Sequence, residues 1–286
     1  MGERFSSCWQ PRRTQIDTAL TAPIRIDMPR ASQGSPLPRS QTRMSVIAVI
    51  PARYGSSRLP AKALAEIDGV PMIVRVWRQA CAARTIERVI VATDDDRIAA
   101  PVRAAGGEAI MTSPAHPSGT DRIAEVGGRI EAEIYLNVQG DLPFIAPADL
   151  DALAAPMRAD PSIEMATLAT PIVSEAEWRN PNVVKVVCDA RGDALYFSRS
   201  PIPLARDGGV PKAALRHIGV YGYRRAFLME FAALEPGVLE QIEQLEQLRA
   251  LERGRRIRVV PSVAPSLEVD TAEDLVLARR FAAPAR

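Results

Sequence analysis

Lysine is nearly missing from this sequence. Its 286 residues hold 36 basic side chains, yet only Lys62, Lys185 and Lys212 are lysines. A lysine that persists against such a bias marks a place where a compact point charge suits better than a planar guanidinium. Cysteine is scarce too: Cys8, Cys81 and Cys188 lie far apart and none belongs to a CxxC pair. That spacing excludes a disulfide framework and a structural zinc site, and it points to a reducing, cytoplasmic setting. The two histidines, His116 and His217, are too isolated to form a zinc site. No apolar run approaches the roughly 18 residues a membrane-spanning helix needs. An excess of one charge is also lacking where folding is expected. The first 43 residues carry seven Arg against three acids, and the rest holds 29 basic and 31 acidic residues. The basic balance therefore belongs to the leader and says nothing of nucleic-acid binding.

That leader, 1–43, also carries five prolines and no sustained periodicity. Its composition predicts a disordered and dispensable segment, with Met44 as the natural start directly before the first strand. Residues 44–286 then form a single domain.

From Met44 onward, strand and helix patterns alternate. Strand 46–51 precedes a helix near 71–83, whose Met72, Ile73, Val76 and Ala80 share a face. Strand 89–92, a helix near 95–105 that stops at Gly106-Gly107, strand 109–111, helix 120–131 and strand 134–138 follow. This rhythm predicts an α/β fold with a mostly parallel sheet flanked by helices, and ligands bind such sheets at the strands' carboxyl ends. The second half is more mixed. It suggests strands near 163–170, 183–188, 194–198 and 216–223, helices 224–234 and 239–252, and a late strand around Val259 and Val260 before a last helix from Thr271. Segment 199–215 reads as an excursion from the sheet.

The chemistry-bearing motifs fall just after predicted strands. The loop Pro51-Ala52-Arg53-Tyr54-Gly55-Ser56-Ser57-Arg58-Leu59-Pro60-Ala61-Lys62 combines small residues with Arg53, Arg58 and Lys62. Small residues let backbone approach a ligand, and clustered cations suit a polyphosphate. The loop is neither a Walker A motif nor GxGxxG. In Asn137-Val138-Gln139-Gly140-Asp141, the aspartate reaches the same rim, where a carboxylate facing polyphosphate would hold Mg²⁺. Asp270 offers a partner carboxylate, or else merely caps the last helix. Asp94-Asp95-Asp96 resembles a glycosyltransferase DxD metal site, but it also opens a helix, where acids stabilise the N-terminus. Capping is the reading taken for it. His116-Pro117-Ser118-Gly119-Thr120-Asp121-Arg122 offers hydroxyls and amides to a base or sugar edge, or a plain N-cap. His217, Gly219 and Tyr221 share one strand face. In 239–249, Ile242, Leu245 and Leu248 are expected to pack inward, with Glu240, Glu243 and Glu246 projecting elsewhere.

Taken together, these motifs resemble the CMP-Kdo synthetase family, the 3-deoxy-manno-octulosonate cytidylyltransferases. Asn180-Pro181-Asn182, Val184-Lys185-Val186-Val187, Ala194-Leu195-Tyr196-Phe197-Ser198-Arg199, Leu245-Glu246-Gln247-Leu248-Arg249 and Val269-Asp270-Thr271 complete the series, in order, over 44–280. The resemblance implies a Rossmann-like nucleotidyltransferase fold and a homodimer, with 173–215 supplying much of the contact. It implies that Pro51, Ala52, Arg53, Ser118, Gly119, Thr120 and Gln139 surround the base and ribose of CTP. Arg53, Arg58 and Lys62 would hold the phosphates, and Asp141 and Asp270 would bind Mg²⁺. Arg199, His217, Tyr221, Glu240, Glu243 and Gln247 would face the sugar acid. The implied reaction activates Kdo with CTP for lipopolysaccharide biosynthesis, with no nucleic-acid or membrane partner.

Three positions depart from the family's pattern. Ala61 stands where glycine is usual, Leu142 where an acid usually follows the metal aspartate, and Ala264-Pro265-Ser266-Leu267-Glu268 replaces a glycine-containing approach to Val-Asp-Thr. These departures leave room for a related sugar acid, such as an amino variant of Kdo. A GT-A glycosyltransferase using Asp94-Asp95-Asp96 is the reading from another class.

Overall fold

The computed structural model describes residues 44–55 and 59–282. The expected disordered leader 1–43 therefore lies outside the described residues, as does Arg58.

In chain order the strands and helices are β1 (Val46–Ala52), β2 (Glu66–Ile67), β3 (Val70–Pro71), α1 (Met72–Cys81), β4 (Arg88–Thr93), α2 (Asp96–Ala104), β5 (Glu108–Met111) and α3 (Gly119–Arg129). Then come β6 (Ile134–Asn137), α4 (Pro147–Ala159), β7 (Met165–Pro171), α5 (Glu175–Arg179), β8 (Lys185–Cys188), β9 (Ala194–Ser198) and β10 (Leu215–Arg224). The chain closes with α6 (Arg225–Ala232), α7 (Val238–Glu243), α8 (Leu248–Glu252), β11 (Ile257–Pro261) and α9 (Ala272–Ala282).

The main sheet runs β11-β7-β10-β6-β1-β4-β5, with β8 and β9 attached beside β10. β1 pairs in parallel with both β4 and β6, β4 with β5, and β11 with β7. Along this seven-strand path β10 runs against its neighbours β6 and β7, and the attached β8 and β9 are antiparallel too, β8 to β10 and β9 to β8. The sheet is mostly parallel, as the alternating pattern predicted. β1 reads as a continuous apolar run because helices cover both of its faces. Ala48 and Ile50 belong to one buried cluster and Ile47 and Val49 to the other. The chain first builds outward from β1 through β4 to β5, then returns to the other side of β1 as β6. That reversal opens a crevice at the carboxyl ends of β1 and β6, where open α/β sheets take their ligands.

Two helix starts fix the rim. Asp95 caps α2 by accepting from the Arg97 amide at 2.9 Å. Ser118 and Asp121 form a reciprocal capping box on α3, at 3.2 and 3.1 Å. The helix expected over 239–252 is instead two short helices. The chain breaks at Gln244, which takes a left-handed φ of 53°. Ile242, expected inside, is 71% exposed, whereas Leu245 and Leu248 are buried. The break lets the carboxylates of α7 turn toward other elements. The excursion after β7 is closed at its neck by Ile172 N donating to Ala214 O at 2.9 Å. Inside it, Lys185 is wholly buried and donates to the carbonyls of Asn180, Val183 and Arg199 at 2.9, 2.6 and 2.5 Å. Burial holds the Lys185 ammonium below its ordinary pKa, and nearby Arg199 adds to the effect.

Candidate active site

A cleft of about 300 Å³ opens at that crevice. Pro51, Ala52, Arg53 and Lys62 line one side, His116, Ser118, Gly119 and Arg122 another, and Gln139, Gly140 and Asp141 a third. The loops after β1, β5 and β6 thus converge as their sequences suggested. Two glycines allow the close approach. A Cβ on Gly119 would come within 3.2 Å of the Pro51 ring, and one on Gly140 within 3.3 Å of the Pro51 carbonyl oxygen. Gln139 is oriented by donating its amide to Asn137 Oδ1 at 2.9 Å.

Lys62 sits at the floor between two carboxylates. Its Nζ donates to Asp141 Oδ2 at 2.6 Å and to Asp270 Oδ1 at 2.9 Å. Burial works against the charge, but Asp141 and Asp270 outweigh it and hold the ammonium above its usual pKa. Ala61, beside it, takes a left-handed φ of 52°. The position favours glycine, so alanine carries local strain there. Leu142, the second departure, is buried in the core and anchors the loop that presents Asp141. At the start of α9, Thr271 Oγ1 accepts from Asp274 N at 3.2 Å, and Asp274 accepts in return from Thr271 N at 2.9 Å, while the Asp270 carboxylate accepts from Lys62.

A third carboxylate that the sequence reading did not select, Glu268, joins this pair. Asp141, Glu268 and Asp270 each offer an oxygen within 4.8 Å of the others. Crowding by protein atoms, then the charges of Asp141 and Asp270, push the Glu268 carboxyl up to about 8, although solvent still reaches it. Its signal was the i, i+2 spacing from Asp270, which puts both side chains on one side of an extended segment.

Several expected site residues are engaged elsewhere. Thr120 turns from the cleft and donates to Glu246 Oε2 at 2.6 Å. Glu240, expected at the sugar, has both its oxygens held by Arg249, at 2.8 and 2.6 Å. Its Oε2 also accepts from the Gly237 amide at 2.9 Å. Glu243 accepts from Ser198 Oγ at 2.6 Å and Arg199 N at 3.0 Å. Arg199 Nε donates to Glu243 O at 2.7 Å, so this pair ties the excursion to α7. These polar side chains sit where local charges and amides satisfy them first, which spacing alone did not reveal. His217 and Tyr221 do share a face, with ring centroids 5.4 Å apart. Burial pushes the His217 imidazole down to about 3 and raises the Tyr221 phenol. Gln247 is buried with its Nε2 unpartnered.

The Asp94-Asp95-Asp96 run divides among structural tasks. Asp94 pairs with Arg122 at 3.0 Å, Asp95 caps α2 and pairs with Arg97, and Asp96 approaches Arg103 at 3.5 Å. Arg122, with Asp94 behind it, lines the cleft, a role the sequence reading missed.

With this geometry in hand, comparison with known proteins is specific. Residues 47–257 match the family model described as Cytidylyltransferase. The 3-deoxy-manno-octulosonate cytidylyltransferase of Syntrophotalea carbinolica is 54% identical over 241 residues, covering 82% of this chain and 96% of that protein. That of Geobacter sulfurreducens is 51% identical over 242 residues, covering 81% and 97%. Among solved structures, CMP:2-keto-3-deoxy-manno-octonic acid synthetase complexed with CTP superposes with a TM-score of 0.79 at 47% identity, covering 83% of this chain and 98% of that one. A 4-diphosphocytidyl-2C-methyl-D-erythritol synthase from Anaerococcus prevotii shares the fold, at a TM-score of 0.58 and 15% identity over 84% of this chain and 98% of that one.

Proposed function

The chain belongs to the cytidylyltransferase family, among the 3-deoxy-manno-octulosonate cytidylyltransferases, and from that premise we propose that it joins CTP to Kdo, yielding CMP-Kdo and pyrophosphate for lipopolysaccharide biosynthesis. One observation carries the reading: Lys62 held between Asp141 and Asp270 at the floor of the cleft between β1 and β6. This arrangement sets a cation and two carboxylates beside the loops suited to a nucleotide.

In the proposed reaction the C2 hydroxyl oxygen of Kdo bonds to the α-phosphorus. The bond from that phosphorus to the bridging oxygen breaks, pyrophosphate leaves with the electron pair, and the proton of the attacking hydroxyl passes to solvent. The work is chiefly positioning and charge neutralisation. Pro51, Ala52, Ser118, Gly119 and Gln139 would hold the base and ribose, and Arg53 and Lys62 the phosphates. Arg58, on the same loop in sequence, belongs with them. The donor set fits a hard divalent cation, because it is all carboxylate oxygen and Asp141 Oδ1 is buried without a partner. Mg²⁺ held by Asp141 and Asp270 would neutralise phosphate charge and make the attacking hydroxyl more acidic. On the sugar side, His217, Tyr221 and Gln247 are the fitting contacts. The unpartnered Gln247 amide supports this, since a ligand acceptor would satisfy it.

We place the enzyme in the cytoplasm as a homodimer joined through 173–215. Support comes from the exposed apolar side chains Val173, Leu195 and Leu204 in that segment. Among the described residues no helix is long and apolar enough to cross a membrane. The test is pyrophosphate release with CTP, UTP or ATP against Kdo, amino-Kdo and other sugar acids. Release with CTP and Kdo supports the proposal. Release with amino-Kdo alone moves it to that substrate, and none with any pair overturns it.

A further inference from the structure

The strand-to-helix connection before α9 carries one acidic side chain more than the proposed metal pair requires. Val269 is wholly buried among Ile67, Met72, Leu275 and Ala278, and its amide donates to Asp141 O at 2.9 Å. Both its flanking residues are thereby fixed against the loop after β6. Glu268 and Asp270, two apart on this pinned segment, each bring an oxygen within 4.8 Å of the other and of one from Asp141. Oxygens on opposite sides of a Mg²⁺ with ligand distances of about 2.1 Å stand roughly 4.2 Å apart. A small side-chain rotation therefore closes the set around one ion.

Charge points the same way. Lys62 already sits against Asp141 Oδ2 and Asp270 Oδ1, a built-in cation in the place a metal would take. Were all three carboxylates ionised, as a bound divalent cation would favour, the set against this one ammonium would leave two negative charges, the charge of a single such cation. Asp141 Oδ1, buried and unpartnered, shows that Lys62 alone does not satisfy the cluster.

We propose that Glu268 is a third carboxylate ligand of the metal site, completing a set with Asp141 and Asp270. The inference rests on the metal-dependent reading above and deepens it. Glu268 raises the affinity of the nucleotide-free protein for the ion, so part of the metal site exists before CTP arrives.

The test is direct metal binding by the full chain. Mn²⁺ is titrated with and without CTP, and free ion is followed by electron paramagnetic resonance. Glu268→Gln is expected to weaken Mn²⁺ binding without CTP by at least about tenfold, the scale on which the loss of a supporting group is felt. Glu268→Asp should fall between wild type and Glu268→Gln, and Glu273→Gln, on the first turn of α9, should bind as wild type. Thermal melting identifies any variant that fails to fold, in which case Glu268→Asp decides. Wild-type affinity in Glu268→Gln or, failing that, Glu268→Asp, with loss in Asp141→Asn, overturns the inference and leaves the metal-dependent reading standing. No Mn²⁺ binding by the wild type, with or without CTP, removes both.

Discussion

Arg249 gives the sharpest test of how the site is held together. Its guanidinium is bidentate on Glu240, at 2.8 and 2.6 Å, and both residues are nearly buried, at 8% and 9% exposed. It also donates to Leu234 O at 3.2 Å and lies 5.0 Å from the Phe231 ring centre. Arg249→Met keeps most of the stem's packing but strands the Glu240 carboxylate. Breaking a buried pair from one side costs about 3–5 kcal/mol, because a charge remains without its partner. At about 2–4 °C per kcal/mol for a domain of this size, even the lower figure lowers Tm by roughly 6–12 °C. Combining Glu240→Gln with Arg249→Met should recover part of that, since the Glu240 charge goes with its partner, while Glu246, 3.9 Å from the guanidinium, still loses it. Differential scanning calorimetry supplies the Tm, and steady-state kinetics well below it supplies kcat and the KM for the sugar. A fall of less than about 2 °C would refute the argument. So would a Glu240→Gln variant with unchanged Tm and a sharply raised sugar KM, which would restore Glu240 to the sugar face.

Other outcomes follow from geometry already described. Lys62→Ala should lower kcat on the order of 10²–10³-fold with little change in nucleotide affinity, because a charge stabiliser acts mainly in the transition state; Lys212→Ala, on the excursion, is the control, and equal mild effects would make the loop only a basic turn. Ala61→Gly should stabilise the fold by about 1 kcal/mol in chemical unfolding by relieving the left-handed φ, and an unchanged or lower midpoint would count against strain there. His217, whose pKa is lowered to about 3 by burial, stays neutral in the fold while the unfolded chain takes up a proton below about 6.5. Stability from this residue is therefore full above pH 6.5 and falls as the pH drops toward 3. It should lose about 1–2 kcal/mol between pH 7 and 5, allowing for solvent at the ring's edge, and His217→Gln should flatten that slope.

The sheet was legible because β1, β4 and β6 are apolar runs flanked by helix patterns with recognisable starts. The loops at its carboxyl rim were legible because glycine, proline and lysine interrupt those patterns at fixed places. The Asp95 cap followed from an acid at the first position before a helix. Helix α7 was misjudged, since an amphipathic repeat through 239–252 gives no sign that Gln244 turns left-handed. Glu240 and Glu243 were assigned outward for the same reason, as their partners Arg249, Ser198 and Arg199 are brought up only by folding. Glu268 escaped notice because an acid in an extended segment is ordinary until Asp141, some 127 residues away, is seen beside it.

The scarcity of lysine has a practical consequence for chemical labelling. Amine-directed reagents attack the neutral amine, and the three lysines differ widely in offering one. Lys185 is enclosed by three carbonyls, and Lys62 is kept charged between Asp141 and Asp270. Lys212 stands exposed on the excursion. An acylating dye under mild conditions should therefore mark Lys212 ahead of the other two side chains. Lys212 thus offers an attachment point on the excursion wherever the proposed contact through 173–215 leaves it uncovered, and its protection in the assembled enzyme would report that contact.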